Sequence, residues 1–386
     1  MGRLVRRAGR YNGSPPGGAG GLSRAGAGRG LPVRRWGYIA LIVGIALVIG
    51  LVVFQGAGDV AAAVAAVSWG IAVVVLVRLV PIMLDGYVWR LLFLKEHRPS
   101  VLTALWARWI GESVNTLVPA FQVGGAVVRS RLMVMRGVPG RVAGASVVVD
   151  LTLSTITLLF FTLVGIGLLM AHHGESEIAR AIGYCVAGGF VVVILLCVFQ
   201  QRGLFGRIMG LAARFARGRA WDNAIGGAQA LDEAVLDLYR HRWLLAGNAA
   251  GQLAAWTLGA AEVYAALYFM GYEISIADAL LIESLILATR TAAFFVPGAL
   301  GVQEGVMVLL GSMVGLGPEV ALALSLVKRV RELVIGVPGL LAWQLAEGKN
   351  LLSRGGARRR AGDAQGPSPE PPAAAGPIVR GGRRAL

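Results

Sequence analysis

Six runs of this sequence are apolar over about the length that crosses a bilayer: 36–55, 64–84, 142–170, 182–200, 243–270 and 319–345. A helix needs ~20 apolar residues to traverse ~30 Å of hydrocarbon. No water is available there to satisfy a free backbone, so a spanning segment of this kind must be helical. The expected fold class is therefore an all-α polytopic membrane protein. Composition agrees: 56% of the 386 residues are hydrophobic and only 15% are charged, against about a quarter charged in a soluble domain. An ordinary cytosolic enzyme or a soluble DNA-binding protein is excluded, despite a formal net charge of +16.

Thirteen of those sixteen charges sit on the two ends. Residues 1–35 hold eight arginines and no acid, and residues 347–386 hold eight Lys/Arg against Glu347, Asp363 and Glu370. Both ends are rich in Gly, Ala, Pro and Arg without apolar periodicity. They read as disordered tails whose charge reports topology and attraction to anionic lipid rather than nucleic-acid binding. The domain division that follows is a basic tail over 1–35, a membrane domain over 36–346 and a second tail over 347–386. Positive charge stays on the cytoplasmic side, which places both termini in the cytoplasm. The first run carries no small-residue cleavage site and reads as an uncleaved span.

Two further apolar regions, 101–135 and 276–316, do not fit single crossings. Each is broken near its middle, by Pro119 and Gly124-Gly125 in the first and by Pro297-Gly298 and Gly301 in the second. Arg98 and Arg136 flank the first, so both of its ends favour the cytoplasm. Acidic residues and no bases flank the second, so both of its ends favour the outside. The layout is span, span, re-entrant hairpin, span, followed by the same order upside down, an inverted repeat of about six full spans plus two broken hairpins. Asp85-Gly-Tyr87 and Glu262-Val-Tyr264 lie 177 residues apart, as do Gly124 and Gly301. The alternative is an eight-helix bundle with two kinked pairs. Between the fourth and fifth spans, 203–242 reads as an amphipathic stretch on the cytoplasmic face.

Broken backbone in hydrocarbon survives only where protein or water satisfies it, so the two tips predict a polar centre at mid-membrane. Charges within apolar helices point to the same place, because each costs at least ~2.5–3.5 kcal/mol there unless it is paired. Glu112, Asn115 and Pro119 share one helical face by their spacing, and Arg290 precedes Pro297 as Glu112 precedes Pro119. An acid and a base in equivalent arms are expected to pair or to line the centre together, either as a substrate site or as a structural ion pair. Glu304 is placed to accept bonds from the second tip or from a ligand. Arg129 and Arg131 either clamp a lipid phosphate or reach to the interface. Asp150 lies within the third span. Lys328, Arg329, Arg331 and Glu332 interrupt the last span, where a plain anchor would be apolar.

Other chemistry is missing from the pattern. The four histidines form no metal motif, no Ser/His/Asp order is suggested, and there is no phosphate-binding loop. No metal, cofactor or catalytic residue is expected. Cys185 and Cys197 lie in one apolar run, ~18 Å apart along a helix and beyond disulfide reach.

At these residues the sequence resembles a known family. Glu112-Ser-Val-Asn115-Thr-Leu-Val-Pro119 with Gly124-Gly125 and Arg129, and Phe295-Val-Pro297-Gly298-Ala-Leu-Gly301-Val-Gln-Glu304, resemble the two signatures of the lysylphosphatidylglycerol synthase transmembrane (flippase-like) domain. Lys328-Arg-Val-Arg331-Glu332 with Gly336-Val-Pro338-Gly339 is most similar to the HpnL-type, hopanoid-associated members. Ala299 departs from the second glycine that many members carry. No soluble aminoacyl-transferase domain follows, so lysyl transfer is not expected. The resemblance implies lipid translocation at the inner membrane of a bacterium, with a hopanoid or another polar lipid as substrate and lipid-biosynthesis proteins as possible partners. A membrane-embedded lipid-modifying enzyme using Glu112 or Glu304 as base, and a scaffold acting through 203–242, are the alternatives.

Overall fold

The structure is a computed structural model that describes residues 65, 67–118, 123–173, 177–212, 219–293 and 301–364. The first apolar run, the tip residues Pro119, Pro297 and Gly298, and the tails over 1–35 and 365–386 lie outside the described residues. Eleven α-helices are described: α1 Gly70–Leu91, α2 Val101–Leu117, α3 Gly124–Met135, α4 Gly140–His173, α5 Glu177–Gln201, α6 Leu204–Ala212, α7 Arg219–Arg240, α8 Arg242–Phe269, α9 Ile276–Ala292, α10 Val302–Met313 and α11 Pro318–Ala364. There is no strand among the described residues. The chain is an all-α polytopic membrane protein, and three described helical segments, Gly70–Leu91, Gly140–Ala171 and Arg180–Gln201, are long and apolar enough to cross a bilayer.

The helices follow the predicted runs with two shifts. The run at 64–84 becomes α1, which extends to Leu91 and so carries both Arg78 and Asp85 inside it. The last run continues as helix to Ala364, beyond position 346 where the sequence reading placed the tail. Leu, Lys, Arg and Ala, good helix formers, make up ten of the sixteen residues of 349–364, and the next proline is Pro367.

Both broken regions resolve into a 17-residue arm followed by a 12-residue arm: α2 then α3, and α9 then α10. Each long arm is started by a serine. Ser100 accepts from the amide of Thr103, and Ser275 from that of Asp278, satisfying donors that the first helical turn leaves free. At the second tip Gly301 takes φ 77°, a conformation open to glycine. At the first, Gly125 lies so close to α2 that a Cβ would stand 2.1 Å from the carbonyl oxygen of Gly111.

Glycines also set the helix crossings. A Cβ on Gly70 would meet Phe269, one on Gly251 would meet Val88, and Gly247 faces Leu91. The start of α1 thus lies beside the end of α8, so the two run antiparallel. Gly165 of α4 lies against Ser284 of α9, and Gly336 and Gly339 of α11 lie against Leu117 and Ser113 of α2. The helix after each broken region therefore packs on the long arm of the other one.

Two apolar cores result. One gathers Val74, Leu169, Val263, Ile282, Met307 and Leu324. The other gathers Trp89, Ile110, Leu132, Val149 and Leu238. Along α1 the sequence passes from Val74 in the first core to Trp89 in the second, and along α11 from Val327 to Leu340. Arg78 and Asp85 of α1 and Lys328, Arg329, Arg331 and Glu332 of α11 fall between, which sets a polar layer inside the apolar body.

Candidate functional site

The polar layer holds two sets of ion pairs. In the smaller set, Asp150 of α4 accepts from Arg129 at 2.8 Å, Arg108 at 3.2 Å, Gln252 at 2.9 Å and Asn248 at 3.4 Å. Arg108 also donates to Asp85 of α1 at 2.7 Å. Arg129 stands over the Trp89 ring, 4.9 Å from its centre, a cation–π contact that shields a desolvated charge. Two acids face two bases.

The larger set joins both broken regions. Arg331 donates to Glu262 at 2.9 Å, Lys328 to Glu283 at 2.5 Å, and Arg290 to Glu332 at 2.9 Å. Arg329 bridges Glu332 and Glu304, at 3.3 Å and 3.2 Å. Glu304 meanwhile accepts from the amide of Gly301 at 2.7 Å and from Ser325 at 3.3 Å, so it closes the second tip and ties it to α11. Arg78 stands among Glu112, Glu262 and Glu283 at 3.7, 3.6 and 3.7 Å. Five bases (Arg78, Arg290, Lys328, Arg329, Arg331) meet five acids (Glu112, Glu262, Glu283, Glu304, Glu332), so the formal charges of the set sum to zero. Neutrality is what makes so many charges tolerable in an apolar medium, since each unpaired ion there costs several kcal/mol.

The set is incomplete in two respects. Arg78 is held more loosely than its fellows: each other base has a carboxylate within 3.2 Å. Five buried side-chain atoms also lack a hydrogen-bond partner: Arg78 Nε, Glu262 Oε2, Arg329 Nε and both amide atoms of Gln303, the residue before Glu304. Three members remain accessible, Glu112 at 28%, Glu304 at 25% and Arg290 at 21% of the side chain, while Glu262, Glu283 and Glu332 are sealed.

The residues singled out from sequence distribute as follows. Glu112, Arg290, Glu304, Lys328, Arg329 and Arg331 all enter the larger set. Arg290 and Arg331 act electrostatically on Glu112, but the direct partner of Glu112 is Arg78 and that of Arg290 is Glu332. Arg129 and Asp150 form the smaller set. Arg129 is buried there instead of reaching the interface, whereas Arg131 pairs with Glu347 of α11 near the surface. Asn115 Oδ1 accepts from the amide of Gly125 at 2.8 Å, fastening the first hairpin. Gly124 begins α3. Sequence reasoning passed over Arg78, Arg108 and Glu283, and took Asp85 and Glu262 only as repeat echoes. The available signal was each residue's own charge inside an apolar run.

An all-α membrane protein with two broken helix pairs around a balanced charge cluster is the class that fold and site define. Residues 41–339 match the family described as the lysylphosphatidylglycerol synthase TM region, and the chain belongs to that family. It is also similar to a UPF0104 membrane protein of Methanothermobacter thermautotrophicus, 26% identical over 237 residues, covering 57% of this chain and 68% of that one. No solved structure matches.

Proposed function

We propose that the protein moves a polar lipid between the leaflets of the inner membrane of a bacterium, or out of that membrane, with a hopanoid or another polar lipid as its substrate. The observation that carries this reading is the neutral charge set built on both broken regions, with Glu112, Arg290 and Glu304 still accessible. A head group crossing hydrocarbon must replace its water with fixed polar partners, and such a set offers acids and bases together.

Membership of a family defined on the membrane part of a lipid-acting protein supports a lipid-related role. The equal arm lengths of the two broken regions and the antiparallel α1 and α8 support an inverted repeat, in which one half rocks against the other about a mid-membrane site. Both termini then face the cytoplasm. We assign a carrier rather than a catalyst, because the carboxylates are engaged by cations instead of standing free to take a proton.

Lipid analysis of separated inner and outer membranes, with and without the gene, tests the reading. Loss of the gene should leave the polar lipid made but wrongly distributed. Normal distribution together with halted synthesis would sink the proposal.

A further inference from the structure

The accessible rim of the larger charge set has both signs. Glu112 lies on α2, Arg290 on α9 and Glu304 on the first turn of α10, and each is partnered from within by a residue of the set. Behind them four bases, Arg78, Lys328, Arg329 and Arg331, face three sealed acids, Glu262, Glu283 and Glu332, so that only rim and interior together sum to zero. A head group with a single net charge would leave one ion uncompensated in this apolar surrounding, where the effective penalty is large. A head group carrying a cation and an anion exchanges partners instead. Its cation takes a carboxylate released from Arg78 or Arg329, its anion takes a guanidinium released from Glu332, and the total charge is unchanged. Gln303 adds a second, independent observation. Its amide is 1% exposed on the same turn as Glu304, with neither its donor nor its acceptor engaged. Buried amides are normally bonded, and this one is left for a group that both accepts and donates.

We infer that the site selects a zwitterionic head group, one ammonium-type cation and one phosphate-type anion with no net charge, over a head group of either single sign. Glu112 and Glu304 receive the cation, Arg290 receives the anion, and Gln303, one residue before Glu304, supplies an unengaged amide at the edge of the set. This deepens the lipid-moving reading and rests on it.

The test uses the full chain in vesicles of phosphatidylcholine and phosphatidylglycerol. Three acyl-labelled probes are followed in parallel: phosphatidylethanolamine, phosphatidylglycerol and a trimethylammonium-propane lipid. The zwitterionic probe should cross about tenfold faster than either singly charged one, as expected for sparing an unpaired charge. Glu112→Gln leaves one excess base and should move the preference toward the anionic probe. Arg290→Gln leaves one excess acid and should move it toward the cationic probe.

Equal rates for the three probes, or a singly charged probe crossing fastest in the unaltered protein, would overturn the inference without needing any variant to fold. Short-chain dihexanoyl forms of the same head groups, read as shifts in the melting temperature of the detergent-solubilised protein, separate the two levels. If no probe crosses but only the zwitterionic dihexanoyl lipid raises the melting temperature, the carrier reading fails and the head-group selectivity stands. If none crosses and none binds, both fall.

Discussion

Arg129 and Asp150, 21 residues apart in sequence, meet at 2.8 Å where neither side chain is more than 3% exposed. The pair fixes α3, the short arm of the first broken region, to the long helix α4 that follows it. Asp150 is braced by Arg108 from α2 and by Gln252 and Asn248 from α8 as well, so one carboxylate holds four helices together.

Removing either partner should be costly: without Asp150 the buried Arg129 is stranded, and without Arg129 the carboxylate keeps only Arg108, which it shares with Asp85, as a cation. Arg129→Ala or Asp150→Ala is expected to lower stability by about 3–5 kcal/mol. The double change should cost clearly less than the sum of the two. Thermal unfolding in detergent measures both, and additive losses would argue against direct pairing.

The antiparallel contact of α1 with α8 is open to a chemical check. A Cβ on Gly251 would stand 3.1 Å from the Cβ of Val88, near the ~3.8 Å that a disulfide spans. With Cys185 and Cys197 replaced, the pair Val88→Cys and Gly251→Cys should oxidise readily, whereas Val88→Cys with Phe269→Cys should not. Oxidation of the second pair instead would place α8 the other way round.

Gly125→Ala puts a methyl group onto the carbonyl of Gly111 and the side chain of Asn115. Overpacking of this sort costs about 1–3 kcal/mol, and here it should also open the first hairpin. Gly167→Ala, a helical position with nothing within 4 Å of the added carbon, should be neutral or gain up to about 1 kcal/mol. Melting temperatures of the two variants should therefore move apart.

Gln303→Met exchanges an unbonded buried amide for an apolar chain of similar length. Stability should rise by about 1 kcal/mol or more, since the unmet desolvation cost is relieved, while lipid movement falls. A variant that loses stability would mean that the amide is satisfied in the resting protein.

Arg78 is expected to matter more for movement than for folding, because its guanidinium stands 3.6–3.7 Å from three carboxylates without a tight partner. Arg78→Lys should keep most transport, and Arg78→Gln should abolish it with a smaller loss of stability than Arg129→Ala. Equal stability losses in the two variants would mark Arg78 as structural.

The sequence made the two broken regions legible because proline and glycine interrupt an apolar run visibly, and the arms α2, α3, α9 and α10 fall where those breaks predict. The run Lys328-Arg329-Val-Arg331-Glu332 likewise announced a buried polar centre, as three bases and an acid do not face lipid together. Partners were a different matter. Glu112 and Arg290 occupy matching places in their arms, and matching places suggested that they pair or line the centre together; both stand in the one charge set, with Arg78 beside Glu112 and Glu332 beside Arg290. Arg78 and Glu283 were missed because a lone charge in a long apolar window barely lowers its mean hydropathy, and only packing reveals that several such lone charges converge.

The crossed packing of α4 on α9 and of α11 on α2 has a kinematic consequence. Each broken region is gripped by a long helix belonging to the opposite half of the sequence, so neither half slides away without carrying part of the other with it. A displacement of either long arm, α2 or α9, must then carry the helix that follows the other broken region, so the two arms are geared to each other.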